Sequence, residues 1–135
     1  MEPIMLDRQF RVWGYGVAHS RLLMHARADT ADPEYLNVLF EDVRAVKLRS
    51  SYQPLILASA SNPVRNDILA FAAIPERHRH RFLSLTLSTE PEARFVLCAR
   101  ATVLAVDTTK DHTPLRPWPD GARVIHALRH EGRVS

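Results

Sequence analysis

The stretch RFLSLTLST, residues 81–89, alternates strictly: Leu83, Leu85 and Leu87 fall to one side of an extended chain, and Ser84, Thr86 and Ser88 to the other. Successive strand side chains point to opposite faces, so this segment predicts a strand with one apolar and one polar face. The apolar face needs a cover. TEPEA makes a turn, and RFVLCARATVLAVDTT (94–109) follows, an apolar run longer than one ordinary strand. The pair predicts an antiparallel hairpin whose second arm bends or crosses between sheets.

The rest of the chain carries the same signal. FRVWGYGV (10–17) places Trp13, Tyr15 and Val17 on one face and Phe10, Val12, Gly14 and Gly16 on the other. RLLMHARA (21–28) completes a hairpin with it, and DTADPE (29–34) is a turn by composition. YLNVLFEDVRAVKL (35–48) reads as two strands, or one bulged strand, broken at Glu41-Asp42. SSYQP is a turn, LILASA (55–60) a strand, and SNPVRND a loop. DILAFAAI (67–74) fits both a helical stripe and a short strand, and Pro75 ends it either way. HTPLRPWPDG (112–121), with three prolines and a glycine, cannot be a central strand. ARVIHALRH (122–130) suits a short helix or an edge strand. The fold class expected is mainly β: about seven mostly antiparallel strands in a small barrel or two-layer sandwich, with one or two short helices. A single β domain over 1–110 carries a proline-containing extension, 111–135, packed on it or on a partner. Trp118 is the expected anchor of that extension.

A chain of 135 residues, 46% of them apolar, has the size and the grease for one core. One cysteine, Cys98, excludes an internal disulfide and a zinc cluster built on cysteine pairs, and its apolar setting predicts a small buried hydrophobe. The N-terminal MEPIMLDRQFRVWGYG lacks the charged start and apolar run of a secretory signal. No window reaches the roughly twenty apolar residues of a membrane span. A cytoplasmic protein is therefore expected. Net charge is +3, and the only lysines are Lys47 and Lys110. Arginines scattered along the chain argue against nucleic acid, whose readers gather charge among interleaved aromatics.

Catalytic motifs are absent from the string. Four glycines lie apart, so no phosphate-gripping loop forms, and no Gly-x-Ser-x-Gly elbow occurs. His19 and Ser20, adjacent on a strand, would face opposite ways. Glu41-Asp42 and the Asp29/Asp32/Glu34 group read as strand-end turns. No cofactor is expected.

PERHRHRF (75–82) is the most unusual segment. As a strand it would project His78 and His80 from one face, the geometry of half a metal site, with Glu90, Glu92, His19 and His25 available as further ligands. As an exposed turn it would present Arg77, His78, Arg79, His80 and Arg81 as a solvated basic rim, suited to an acidic partner. Trp13 and Tyr15, beside Gly14 and Gly16, suit either core packing or an interface anchor.

NVLFEDVRAVKL (37–48) adds a resemblance. Val38 and Phe40 close one strand, an acidic turn follows, and Val43, Val46 and Leu48 resume. The pattern resembles strand pairs of small all-β bacterial proteins, some assigned as immunity proteins of polymorphic toxin systems. The resemblance implies a protein that binds another protein, with no catalytic residues to carry over.

The expected function is thus a non-enzymatic cytoplasmic module that binds a protein partner, an immunity or accessory protein of a neighbouring-gene system. Its partner-binding residues would be Arg77, His78, Arg79, His80, Arg81, Trp13, Tyr15 and Trp118. The alternatives are a metal-dependent or small-ligand-binding barrel using His78 and His80, and an oligomeric structural component.

Overall fold

The computed structural model describes residues 1–16, 20–88, 94–107 and 117–130. In chain order their elements are β1 (Ile4–Leu6), β2 (Phe10–Gly16), β3 (Arg21–Ala26), β4 (Glu34–Glu41), β5 (Ala45–Lys47), β6 (Ser51–Tyr52), β7 (Leu55–Ser59), α1 (Asn62–Phe71), a 3₁₀ helix (Glu76–Arg81), β8 (Leu83–Leu87), β9 (Arg94–Cys98), β10 (Arg100–Asp107) and β11 (Arg123–Arg129). They make two antiparallel sheets, one ordered β1-β7-β8-β9-β5 and the other β11-β10-β4-β3-β2-β6. Strands outnumber the seven expected for two reasons. β1 and β6 are three and two residues long, too short for alternation to show. The run 94–109 also splits into β9 and β10, which belong to different sheets. Each sheet keeps two edges among the described residues, so neither closes into a barrel.

The leucine face of β8 is covered as its alternation requires. Leu83, Leu85 and Leu87 share one buried cluster with Leu55 and Leu57 of β7 and Val96 and Cys98 of β9. The same cluster takes Phe10, Met24, Val38, Phe40, Val103 and Ala105 from the six-stranded sheet. Both sheets therefore turn apolar faces to one core, where a fully buried leucine or phenylalanine is worth roughly 1.5–3 kcal/mol. The chain crosses between sheets five times, and two of the crossings have a defined local geometry. Between β4 and β5, Asp42 takes a left-handed φ of 53°, a conformation that aspartate tolerates better than most residues. At Ala99 the chain passes from β9 to β10, and its N–H bonds the Glu41 carbonyl at 3.0 Å. The acidic break at 41–42 is thus a change of sheet, with two strands rather than one.

The loop expected at 61–67 is instead the first half of α1. Pro63 sits in the first turn, where a missing N–H costs nothing and the fixed φ favours helix. The helix continues through the ambiguous 67–71 and packs Ile68 and Leu69 on Phe95 and Leu97, the outward residues of β9. Its C-terminus closes with Ile74 N–H on the Leu69 carbonyl (3.1 Å) and Ala73 N–H on the Ala70 carbonyl (3.0 Å). This is the Schellman arrangement, with Ala73 at φ 57° where glycine is usual. Arg65 ties the helix down by donating to the Phe82 and Arg79 carbonyls, at 2.9 and 2.8 Å, and to Ser84 Oγ.

Residues 123–129 form an edge strand rather than a helix, so the C-terminal part adds to the six-stranded sheet. Residues 111–116 of the proline-rich segment lie outside the described residues. No described helix is long and apolar enough to cross a membrane.

Candidate functional site: the Trp13 cleft

The six-stranded sheet has a second face, turned away from the shared core. Leu23, Leu39, Leu104 and Val106 point there, and so does one fully buried polar residue, Asn37 of β4. An amide in that position must find partners. Its Oδ1 lies 2.9 Å from Nδ1 of His25 on β3, and its Nδ2 donates to the Pro117 carbonyl at 3.4 Å. Because Nδ2 serves the carbonyl, Oδ1 accepts from His25. The imidazole therefore carries its proton on Nδ1 and leaves Nε2 as an acceptor. Burial holds His25 below the ordinary imidazole value, against the opposing pull of the Asn37 bond and with help from the Arg27 charge. At neutral pH the ring is uncharged.

That ring is the middle of an aromatic ladder across three strands. Trp13 of β2 lies 5.1 Å from it and Tyr35 of β4 lies 5.0 Å away on the other side, both tilted by nearly 60°. Trp13 reaches this position through a bulge. The β2–β3 register shifts between Val12 and Gly14, so Arg11 opposes His25, Gly14 opposes Leu23, and Trp13 is the extra residue. Beyond the shift, Tyr15 opposes Leu22, a residue of the shared core. Cross-strand partners share a face. The alternation that put Trp13 and Tyr15 on one face is therefore broken, and the two rings, each about half exposed, point to opposite sides.

Beside Trp13 opens a cleft of about 390 Å³, lined by Asp7, Arg8, Gln9, Arg11, Trp13, His25, Arg27, Ala28, Asp29 and Gln53. Arg8 is its fixed wall. It pairs with Asp32 and donates to the Arg27 and Glu34 carbonyls at 2.9 and 3.0 Å, which binds the 27–34 turn to the β1–β2 connection. A backbone N–H from Glu34, then Arg8, hold the Asp32 carboxyl below its usual range. Asp29 is also committed locally, taking the Ala31 and Asp32 N–H groups at 2.8 Å each. The lining has a rigid indole face, a neutral imidazole acceptor, two glutamine amides and guanidinium groups, but no serine, cysteine or lysine nucleophile.

The arginine-histidine segment lies elsewhere. It is a 3₁₀ helix between α1 and β8, not a strand. With three residues per turn, His78 and His80 point about 120° apart instead of sharing a face. The shared strand face on which that pairing was expected is not formed, and no group of three or more His, Cys, Asp or Glu that could hold a metal ion occurs among the described residues. His19, Glu90 and Glu92 lie outside the described residues. His78 Nε2 accepts from Arg77 Nε at 3.1 Å, and its Nδ1 is buried without a partner. Desolvation, then the charges of Arg81, Arg77, His80 and Arg44, push this ring below the ordinary value. Arg79 is spent internally, donating to the Ile74 carbonyl at 3.0 Å. Around His78, a smaller hollow of about 290 Å³ is formed by Asp42, Arg44, Ile74, Pro75, Arg81 and Phe82. It has no residue in common with the Trp13 cleft.

Trp118 follows Pro117, whose carbonyl meets Asn37, so the chain there comes to the cleft's sheet face. Its indole is half exposed, and the buried residue is Pro119. The structure thus brings Trp13 together with Arg8, Arg11, Arg27, His25 and Asn37, and separates it from Tyr15 and from residues 77–81. Asn37 carried a legible signal, an amide inside the apolar run YLNVLF. The arginines carried none, since residues 8, 11 and 27 meet only through sheet topology. Comparison of the chain with family models, curated proteins and solved structures gives no match.

Proposed function

We propose that the two sheets form a two-layer sandwich that serves as a non-enzymatic, cytoplasmic protein-binding module, an immunity or accessory protein whose partner docks on the Trp13 cleft. The observation that carries this reading is the braced indole. Trp13 is half exposed yet held by the His25–Tyr35 ladder, and His25 is itself pinned by Asn37. An exposed tryptophan whose rotamer is already ordered loses little entropy on binding, and tryptophan and arginine are the side chains most enriched at binding hot spots. The 77–81 segment keeps a secondary role as a basic surface on another part of the molecule. A single buried thiol, Cys98, suits a reducing compartment.

Photo-crosslinking in the native host tests the proposal. A photoreactive residue at position 13 is compared with one at Phe71, an exposed aromatic on α1. A discrete protein adduct from position 13, missing from position 71 and competed by unlabelled protein but not by its Trp13→Ala variant, is the expected result. Equal adducts from both positions, or none from position 13, would overturn it.

A further inference from the structure

We infer that the Trp13 cleft is a carboxylate clamp, which recognises an acidic linear segment of a protein partner through Arg11 and Arg27 while an apolar or aromatic side chain of that segment lies on the open face of Trp13. This inference rests on the docking reading above and names the partner's chemistry.

The arginines differ in what they have left to offer. Arg8 is consumed by Asp32 and two carbonyls, and its side chain is only 12% exposed. Arg11 and Arg27 are exposed, and among the described residues neither guanidinium has a carboxylate or carbonyl partner. Arg11 stands directly across from His25, beside Trp13. A guanidinium presents a planar fork that matches a carboxylate edge in bidentate fashion. Of the two acids in the lining, Asp29 is engaged by two backbone N–H groups. Asp7 is exposed on the rim. Gln9 and Gln53 add amides that can pair with a peptide backbone. The volume of about 390 Å³ accommodates a few side chains, at the lower end of the range for ligand pockets.

A nucleic-acid strand fits less well. Strand readers offer successive stacking platforms along a continuous basic groove. Here the lining holds two rings, Trp13 and His25, already packed on each other rather than spaced as successive platforms, and Asp7 and Asp29 would meet a continuous phosphate backbone. A peptide supplies carboxylates at intervals and neutral groups between them.

Trp118→Phe leaves Trp13 as the sole indole and hence the fluorescence reporter. This protein is titrated with a short peptide alternating glutamate and leucine, with its glutamine and lysine counterparts, and with oligothymidylate, at low and high salt. The expected result is a change in Trp13 emission with the glutamate peptide alone. That affinity should fall about tenfold or more at high salt, and again in Arg11→Gln/Arg27→Gln, whose exposed sites leave the fold unchanged by circular dichroism. Equal binding of the glutamine peptide, no loss in the double variant, or no response to any peptide overturns the clamp. If the position-13 crosslink nevertheless persists, docking stands and only its chemistry is wrong. Tighter binding of oligothymidylate than of peptide overturns both.

Discussion

The His25–Asn37 hydrogen bond is the interaction on which the cleft's rigidity depends, and its removal has a calculable effect. Asn37→Leu keeps the number of side-chain heavy atoms and deletes the acceptor. The bulkier leucine leaves no cavity at this fully buried site, and the main cost is the half-buried imidazole N–H and the Pro117 carbonyl losing their Asn37 partner, about 1–3 kcal/mol. His25→Phe keeps a ring between Trp13 and Tyr35 but removes the N–H that Asn37 Oδ1 accepts, at a similar cost of about 1–3 kcal/mol. The double variant removes both ends of the His25–Asn37 bond, while the Pro117 carbonyl loses its Asn37 donor in the Asn37→Leu single and double variants alike and so cancels from the comparison. Its loss should therefore fall short of the sum of the single losses by about 1–2 kcal/mol. Urea denaturation followed by far-ultraviolet circular dichroism at pH 8, where the imidazole is neutral in both states, measures all four corners. Losses that add to within about 0.3 kcal/mol would refute the reasoning, since that is the behaviour of independent sites.

The same pair sets a pH dependence. His25 titrates below 6.5 when folded and near that ordinary value when unfolded, so on acidification the unfolded chain takes up the proton first. Its contribution to stability is full above pH 6.5, declines as pH falls below it, and stops declining once the folded ring is protonated. Asn37→Leu removes the one influence raising the folded value, so the His25 resonance should titrate at a still lower pH by NMR. A higher value would contradict the bond. Ala73→Gly should relieve about 1–2 kcal/mol of left-handed strain and lose roughly half of that to chain entropy, for a net gain of about 0.5–1 kcal/mol and a higher Tm. Arg65→Met should cost about 2–3 kcal/mol in urea midpoint experiments, because the Phe82 and Arg79 carbonyls lose a charged donor. Cys98, with its thiol pushed up to about 12 by desolvation and then by Asp42, should react with iodoacetamide only as fast as the protein unfolds.

The local pattern by itself determined the β class, the β8–β9 hairpin, the break at Glu41-Asp42 and the burial of Cys98. Each follows from the two-residue period of extended chain or from turn chemistry, and neither needs a distant partner. The helix start at Asn62 is not legible in the sequence because Asn-Pro signals a turn as readily as a first helical turn, and only the apolar surface of Phe95 and Leu97 beneath it settles the choice. Pairing decided the remainder. A bulge one residue wide turns Trp13 away from Tyr15, and a 3₁₀ helix separates His78 from His80. Strand order gathers Trp13, His25 and Tyr35 from β2, β3 and β4, with Asn37 beneath them and Arg11 and Arg27 beside. A strand's own period says which residues share its face. Which faces become neighbours depends on hydrogen bonding between segments far apart in the chain, and the cleft exists only at that level.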